Sequence, residues 1–159
     1  MWLFRLAGVL MLACSGLAVS QTLNRRATAA LCQTEGFMAL IRAVRGQIEC
    51  FARPIGQILF SCERETLDAC GYAGEMPPSD LAVLVKQVRV YDAPTVAAVA
   101  RFSEEFGRGY RADEVRACDY TLSLLEDRRT RLAGELPQKK KRNVVLCVCA
   151  SLALALLLL

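Results

Sequence analysis

Apolar positions along the chain fall into three regimes. Leu6 to Leu17 is an apolar run of about a dozen residues behind the single charge of Arg5, and Val144 to Leu159 is a second run of 16 residues without a charge or a proline. Between them the pattern becomes periodic. Phe37, Ile41, Val44, Ile48 and Phe51 recur at steps of four, three, four and three, which puts one apolar stripe on a helix over about 29–52. Arg42, Arg45, Glu49 and Arg53 occupy the opposite face and read as solvated charges. Pro54 ends or kinks this helix, because proline has no N–H to donate and disfavours helical geometry in the residue before it.

A second helix is predicted from Ile55, with Leu59, Cys62, Thr66 and Ala69 on one face and Gly71 just past its end as a cap. The short link at 53–54 sets these two helices antiparallel. Gly71 to Pro78 is a loop. Ser79 is placed to cap a third helix carrying Leu81, Leu84, Val85 and Val88. Val83, Val85, Val88 and Val90 also permit a strand, but no second strand-like run is present to pair with it. Asp92 and Pro94 open a fourth helix with Val96, Val99, Phe102 and Phe106, ended by Gly107 and Gly109. Asp113 opens a fifth with Val115, Cys118, Leu122, Leu125 and Leu132, and Arg128 to Arg131 place cations where the helix dipole favours them. The expected fold is all-α: a small disulfide-stabilised bundle of four or five helices, plus an N-terminal signal helix and a C-terminal hydrophobic helix in the precursor.

The two apolar runs set the expected domain organisation. A short charged start, an apolar stretch below the ~20 residues of a span, and the small residues of Ala18-Val19-Ser20 read as a secretory signal over 1–20, cleaved between Ser20 and Gln21. Residues 21–27 read as a flexible arm, 28–133 as the ectodomain, 134–143 as a polar basic spacer and 144–159 as a hydrophobic tail. Sixteen helical residues cover only about 24 Å of a hydrocarbon core about 30 Å thick. Lys139 to Arg142 would lie on the lumenal flank of such a span, against the preference of Lys and Arg for the cytoplasmic side. Both points favour a glycolipid-anchor signal, with Ala133 as attachment residue, Ala133-Gly134-Glu135 as the attachment triplet and Leu136 to Asn143 as spacer. Glu135 stands where a small residue is preferred. A retained short transmembrane segment and release as a secreted protein are the alternatives.

The formal charge of +4 comes from the two ends, because residues 21–133 hold fifteen basic and fifteen acidic side chains. Bulk charge therefore points to no nucleic-acid partner. Five cysteines remain in the ectodomain, Cys32, Cys50, Cys62, Cys70 and Cys118, in a compartment where disulfides persist. On a continuous second helix Cys62 and Cys70 lie about 12 Å apart, too far to bridge. The antiparallel hairpin instead brings Cys70 near Cys32, which predicts a Cys32–Cys70 bridge. Cys118 then takes Cys50 or Cys62, and an odd thiol is left for a disulfide-linked homodimer.

The chain has no histidine, which removes Ser-His-Asp and Cys-His catalysis, and its cysteine spacings match no zinc site. Adjacent carboxylates such as Glu63/Glu65 and Glu104/Glu105 point to different helix faces and are poorly placed to share a proton. No enzymatic activity, metal or cofactor is expected. The expectation is a membrane-anchored extracellular helical protein, at the outer face of the plasma membrane, that acts by binding a protein partner. The alternative is a secreted or tethered helical carrier of an apolar ligand such as a lipid.

Overall fold

A computed structural model describes the backbone of residues 2–51, 55–107 and 109–158, and their side chains apart from 2–14, 17, 51, 152 and 154–158. Pro54, Arg53 and Arg108 lie outside the described residues, as does the side chain of Phe51. The described residues are all-α, with six helices: α1 (Trp2–Phe51), α2 (Ile55–Phe60), α3 (Arg64–Ala69), α4 (Leu81–Lys86), α5 (Ala93–Glu105) and α6 (Arg111–Leu158). They divide into two compact units, Ala29–Leu132 and the pair Met1–Thr28 with Ala133–Leu159.

The larger unit is built on the predicted stripe. Phe37, Ile41, Val44 and Ile48 are all buried, and Leu40 beside them widens the buried face of α1. Ile58 and Leu59 of α2, Leu67 of α3, Leu81 and Leu84 of α4, Val99 and Phe102 of α5, and Cys118 and Leu125 of α6 close around that face in one core. Phe102 and Phe106 stack at 5.0 Å between ring centroids, tilted by 53°.

The second predicted helix is two. The chain breaks at 61–63, where Glu63 takes an extended conformation before α3. The break resets the helical phase, so Leu67 faces the core and Ala69 faces solvent. Beyond α3, Cys70 is the last helical-geometry residue and Gly71 turns left-handed at φ +84°. Tyr72 N–H donates to the Leu67 carbonyl at 3.0 Å and Gly71 N–H to that of Asp68 at 2.9 Å, the bond pair of a Schellman cap. The cap of α4 is Asp80 rather than Ser79, its carboxylate accepting from Leu81 N–H at 2.7 Å. The end of the valine-rich run makes one isolated antiparallel bridge, Tyr72 with Val88. Asp92 caps α5 as predicted, with proline in its first turn.

Residues 21–27, expected as a flexible arm, and 134–143, expected as a polar basic spacer, are helical. Residues 21–27 lie inside α1: no proline or glycine interrupts 17–35, and the Thr22 and Thr28 hydroxyls donate to the carbonyls four residues back at 3.0 Å. Residues 134–143 lie inside α6, where Lys139 pairs with Glu135 at 2.7 Å. Within the smaller unit Asn143 donates to the Asn24 side chain at 3.2 Å. Among the described residues no helix is long and apolar enough to cross a membrane.

Candidate functional site

Two polar residues interrupt the apolar face of α1 one turn before Phe37, and both are fully buried: Gln33 and Thr34. Gln33 uses its whole hydrogen-bonding capacity. Its Nε2 donates to the Cys70 carbonyl at 2.8 Å and the Arg89 carbonyl at 2.7 Å, and its Oε1 accepts from the N–H groups of Tyr91 at 3.0 Å and Asp92 at 3.1 Å. One side chain thereby holds the α3 cap and the loop before α5 against α1.

Asp92 continues the network. Its Oδ2 accepts from Thr95 N–H at 3.1 Å, Thr95 Oγ1 at 2.8 Å and Arg128 Nε at 3.0 Å, and its Oδ1 accepts from Arg128 Nη2 at 2.7 Å. Burial alone would raise the Asp92 pKa, but the hydrogen bonds from Arg128 and Thr95 outweigh it and hold the carboxyl below its ordinary value. Thr34 Oγ1 donates to the Ala30 carbonyl at 3.0 Å and lies in hydrogen-bond contact with Thr95 Oγ1 at 2.9 Å. The cluster is closed and satisfied. It fixes α1, α5 and α6 together rather than presenting a reactive group.

The charges expected to be solvated on α1 form an edge with α6. Arg45 grips Asp119 with Nε at 2.6 Å and Nη2 at 3.4 Å, Arg42 reaches Glu126 at 3.4 Å, and Arg129 reaches Glu35 at 2.8 Å. The signal was present in the sequence, since Glu35, Arg42 and Glu49 repeat every seven residues, as do Asp119 and Glu126. Gln33 and Thr34 were also legible, as polar residues four and three positions before Phe37 on its own stripe.

The cysteines separate into two groups, all of them free thiols where described. Cys70 and Cys118 are buried, and desolvation pushes their thiols up to about 12 and about 11. Cys62 is half-buried and shifted the same way, again by desolvation. Cys32 and Cys50 are exposed on α1. The predicted Cys32–Cys70 bridge is not formed. The chain neighbourhood was right, because Gln33 bonds the Cys70 carbonyl and a Cβ on Gly36 would lie 2.8 Å from Cys70 N, but Cys32 points to solvent while Cys70 points into the core. The break between α2 and α3 also removes the continuous helix on which a Cys62–Cys70 bridge was excluded, and these two thiols are likewise unbonded.

Ser20 lies within α1, buried, its Oγ without a hydrogen-bond partner, and Gln21 after it is exposed. Ala133 is exposed within α6. Pro137, four residues on, has no N–H to give the Ala133 carbonyl, so α6 lacks that hydrogen bond at the candidate attachment residue.

An open groove of about 170 Å³ runs between α5 and α6, lined by Ala97, Ala98, Arg101 and Phe102 of α5 and by Ala117 and Tyr120 of α6. Comparison with family models, with curated proteins and with solved structures finds no match for this chain.

Proposed function

We propose that this chain is an extracellular helical interaction protein, tethered to the outer face of the plasma membrane by a lipid attached at Ala133 after loss of the tail. The observation that carries the reading is the boundary of the larger unit. Its core is complete within Ala29–Leu132, and the candidate attachment residue comes next. The hydrogen bond that Pro137 withholds from the Ala133 carbonyl supports the same reading, because that peptide is tied less firmly into the helix. The chain has no histidine, so the reading places its action on its surface rather than on histidine-based catalysis.

Packing favours a binding surface over an apolar carrier. Phe37, Leu40, Ile41, Leu59 and Leu84 have no exposed area, so the core is filled by its own side chains. In this reading any disulfide stabilisation draws on the exposed thiols, since the buried ones are encased by core side chains.

The test is treatment of intact cells with a phosphatidylinositol-specific phospholipase, then mass measurement of the carboxyl-terminal peptide of the released protein. Release with a glycolipid remnant on Ala133 is expected. Retention on the membrane with residues 144–159 still present overturns the tether.

A further inference from the structure

Cys32 and Cys50 are eighteen residues apart on α1, which is five turns at 3.6 residues each, so both lie on one line down the helix. Between them that line carries Ala39 and Ala43, both exposed, flanked on one side by Gly46, beyond whose Cα lies open space, and on the other by Gly36, which packs against the Ala69–Cys70 backbone. Larger neighbours are drawn aside: Glu35 and Arg42 reach over to Arg129 and Glu126 of α6, and Glu49 pairs with Arg45. Some 27 Å of helix separates the two cysteines, so they cannot bridge within one chain. The remaining thiols of the unit are buried or half-buried.

The spacing is self-complementary. A two-fold axis crossing the line level with residue 41 sets Cys32 opposite the partner's Cys50, Cys50 opposite the partner's Cys32, and Ala39 opposite the partner's Ala43. We propose that a second copy of this chain packs antiparallel on α1 and that two symmetry-related disulfides, each between Cys32 and the partner's Cys50, lock the dimer. Helix axes about 8–10 Å apart bring facing Cα atoms to roughly 3.5–5.5 Å, a range that overlaps the ~4.4–6.8 Å of disulfides. Alanine and glycine between the cysteines permit that approach, and an isologous interface requires this match of one surface to itself.

Each bridge forms by exchange with a low-molecular-weight disulfide. A Cys32 thiolate attacks oxidised glutathione and expels one glutathione thiolate, leaving a mixed disulfide. The partner's Cys50 thiolate then displaces the second glutathione. Two protein thiols are oxidised, one glutathione disulfide is reduced to two thiols, and the two protons pass to the departing thiolates. The supply of oxidant in the cell rests on the secretory reading above.

The test uses the full chain with Cys14, Cys147 and Cys149 replaced by serine in every sample, since Cys149 is also exposed, purified reduced in detergent and equilibrated with oxidised and reduced glutathione. This parent chain is expected to become a covalent dimer on non-reducing electrophoresis, with Cys32 joined to Cys50 in its proteolytic peptides. Cys32→Ser alone and Cys50→Ser alone are each expected to stay monomeric, whereas an equimolar mixture of the two gives a covalent heterodimer with one bridge. Both substitutions fall on exposed positions, and an unchanged circular dichroism melt checks the fold. A monomeric parent chain, or a single variant that still dimerises through like cysteines, overturns the proposal. A chain that dimerises in glutathione buffer but is recovered from intact cells as a reduced monomer overturns the secretory reading instead.

Discussion

The residues that decide most about this domain are ones whose polarity looks out of place. Gln33 satisfies four backbone groups at once, and its loss leaves them unpaired in the interior. At about 1–3 kcal/mol for each buried group left without a partner, Gln33→Leu is expected to cost more than 3 kcal/mol, read as a fall in the denaturant midpoint. Asp92 adds a pH dependence. Its folded pKa lies below the ordinary 3.8, so its contribution to stability is complete above about pH 4 and is lost as pH falls through the depressed value. Arg128→Met removes that depression and strands a buried carboxylate, at about 3 kcal/mol near neutrality. Its deficit against wild type is expected to shrink as the pH is taken from 7 towards 2, because protonated Asp92 no longer needs the guanidinium. A deficit that stays constant over that range refutes the assignment. The thiols give a second residue-scale prediction. With Cys70 near 12 and Cys118 near 11, brief iodoacetamide treatment of the reduced native protein at pH 8 is expected to label Cys32 and Cys50 at least about tenfold faster than those two, since the thiolate is the nucleophile and burial blocks access. The five cysteines of residues 21–133, among eight in the chain, could be counted in the sequence, but which of them are buried depends on packing.

At the level of elements, the helices whose apolar period is clear were legible in the sequence, and the junctions were not. The stripe of α1 and the Asp92 start of α5 follow from local pattern and capping chemistry. The break between α2 and α3 does not, because Ser61, Cys62 and Glu63 carry no proline or glycine to announce it; only the core's need for Leu67 over Ala69 decides the phase. Continuity fails in the other direction too. Residues 21–27 are polar and were read as a flexible arm but continue α1, and in the polar spacer at 134–143 residues such as Glu135 and Lys139 support a helix through pairs four apart. Two glycines hold the α1–α3 junction. A Cβ on Gly36 would meet the backbone of Ala69 at 2.7 Å and of Cys70 at 2.8 Å, and backbone cannot move aside as a flexible side chain can. Gly71 holds the left-handed turn of the Schellman cap. Gly36→Ala is expected to lower stability by about 1–3 kcal/mol through forced separation of α1 from α3. Gly71→Ala is expected to cost about 1–2 kcal/mol through backbone strain. Thermal melts of the two variants measure both, and a Gly36→Ala protein as stable as wild type would show that the two helices can part without cost.

At the scale of the whole molecule, the question is which part of the chain carries the fold of the larger unit. The core residues run from Phe37 to Leu125, all inside Ala29–Leu132, and the Gln33, Asp92 and Arg128 network closes within the same limits. None of these contacts needs Met1–Thr28 or Ala133–Leu159. A chain of residues 21–133 is therefore expected to fold on its own, with a single cooperative unfolding transition and with thiols 70 and 118 as protected as in the full chain. Its 113 residues suffice for one core, so the expected stability is of the ordinary order, about 5–15 kcal/mol. The extra turns at 21–28 enclose no core residue other than by leading into Ala30, and hydrogen exchange in this shorter chain is expected to be fast over 21–28 and slow from Gln33 onwards. A chain that unfolds without 1–20 and 134–159 would show that the ends stabilise the native domain, and would set that fold against the proposed removal of both.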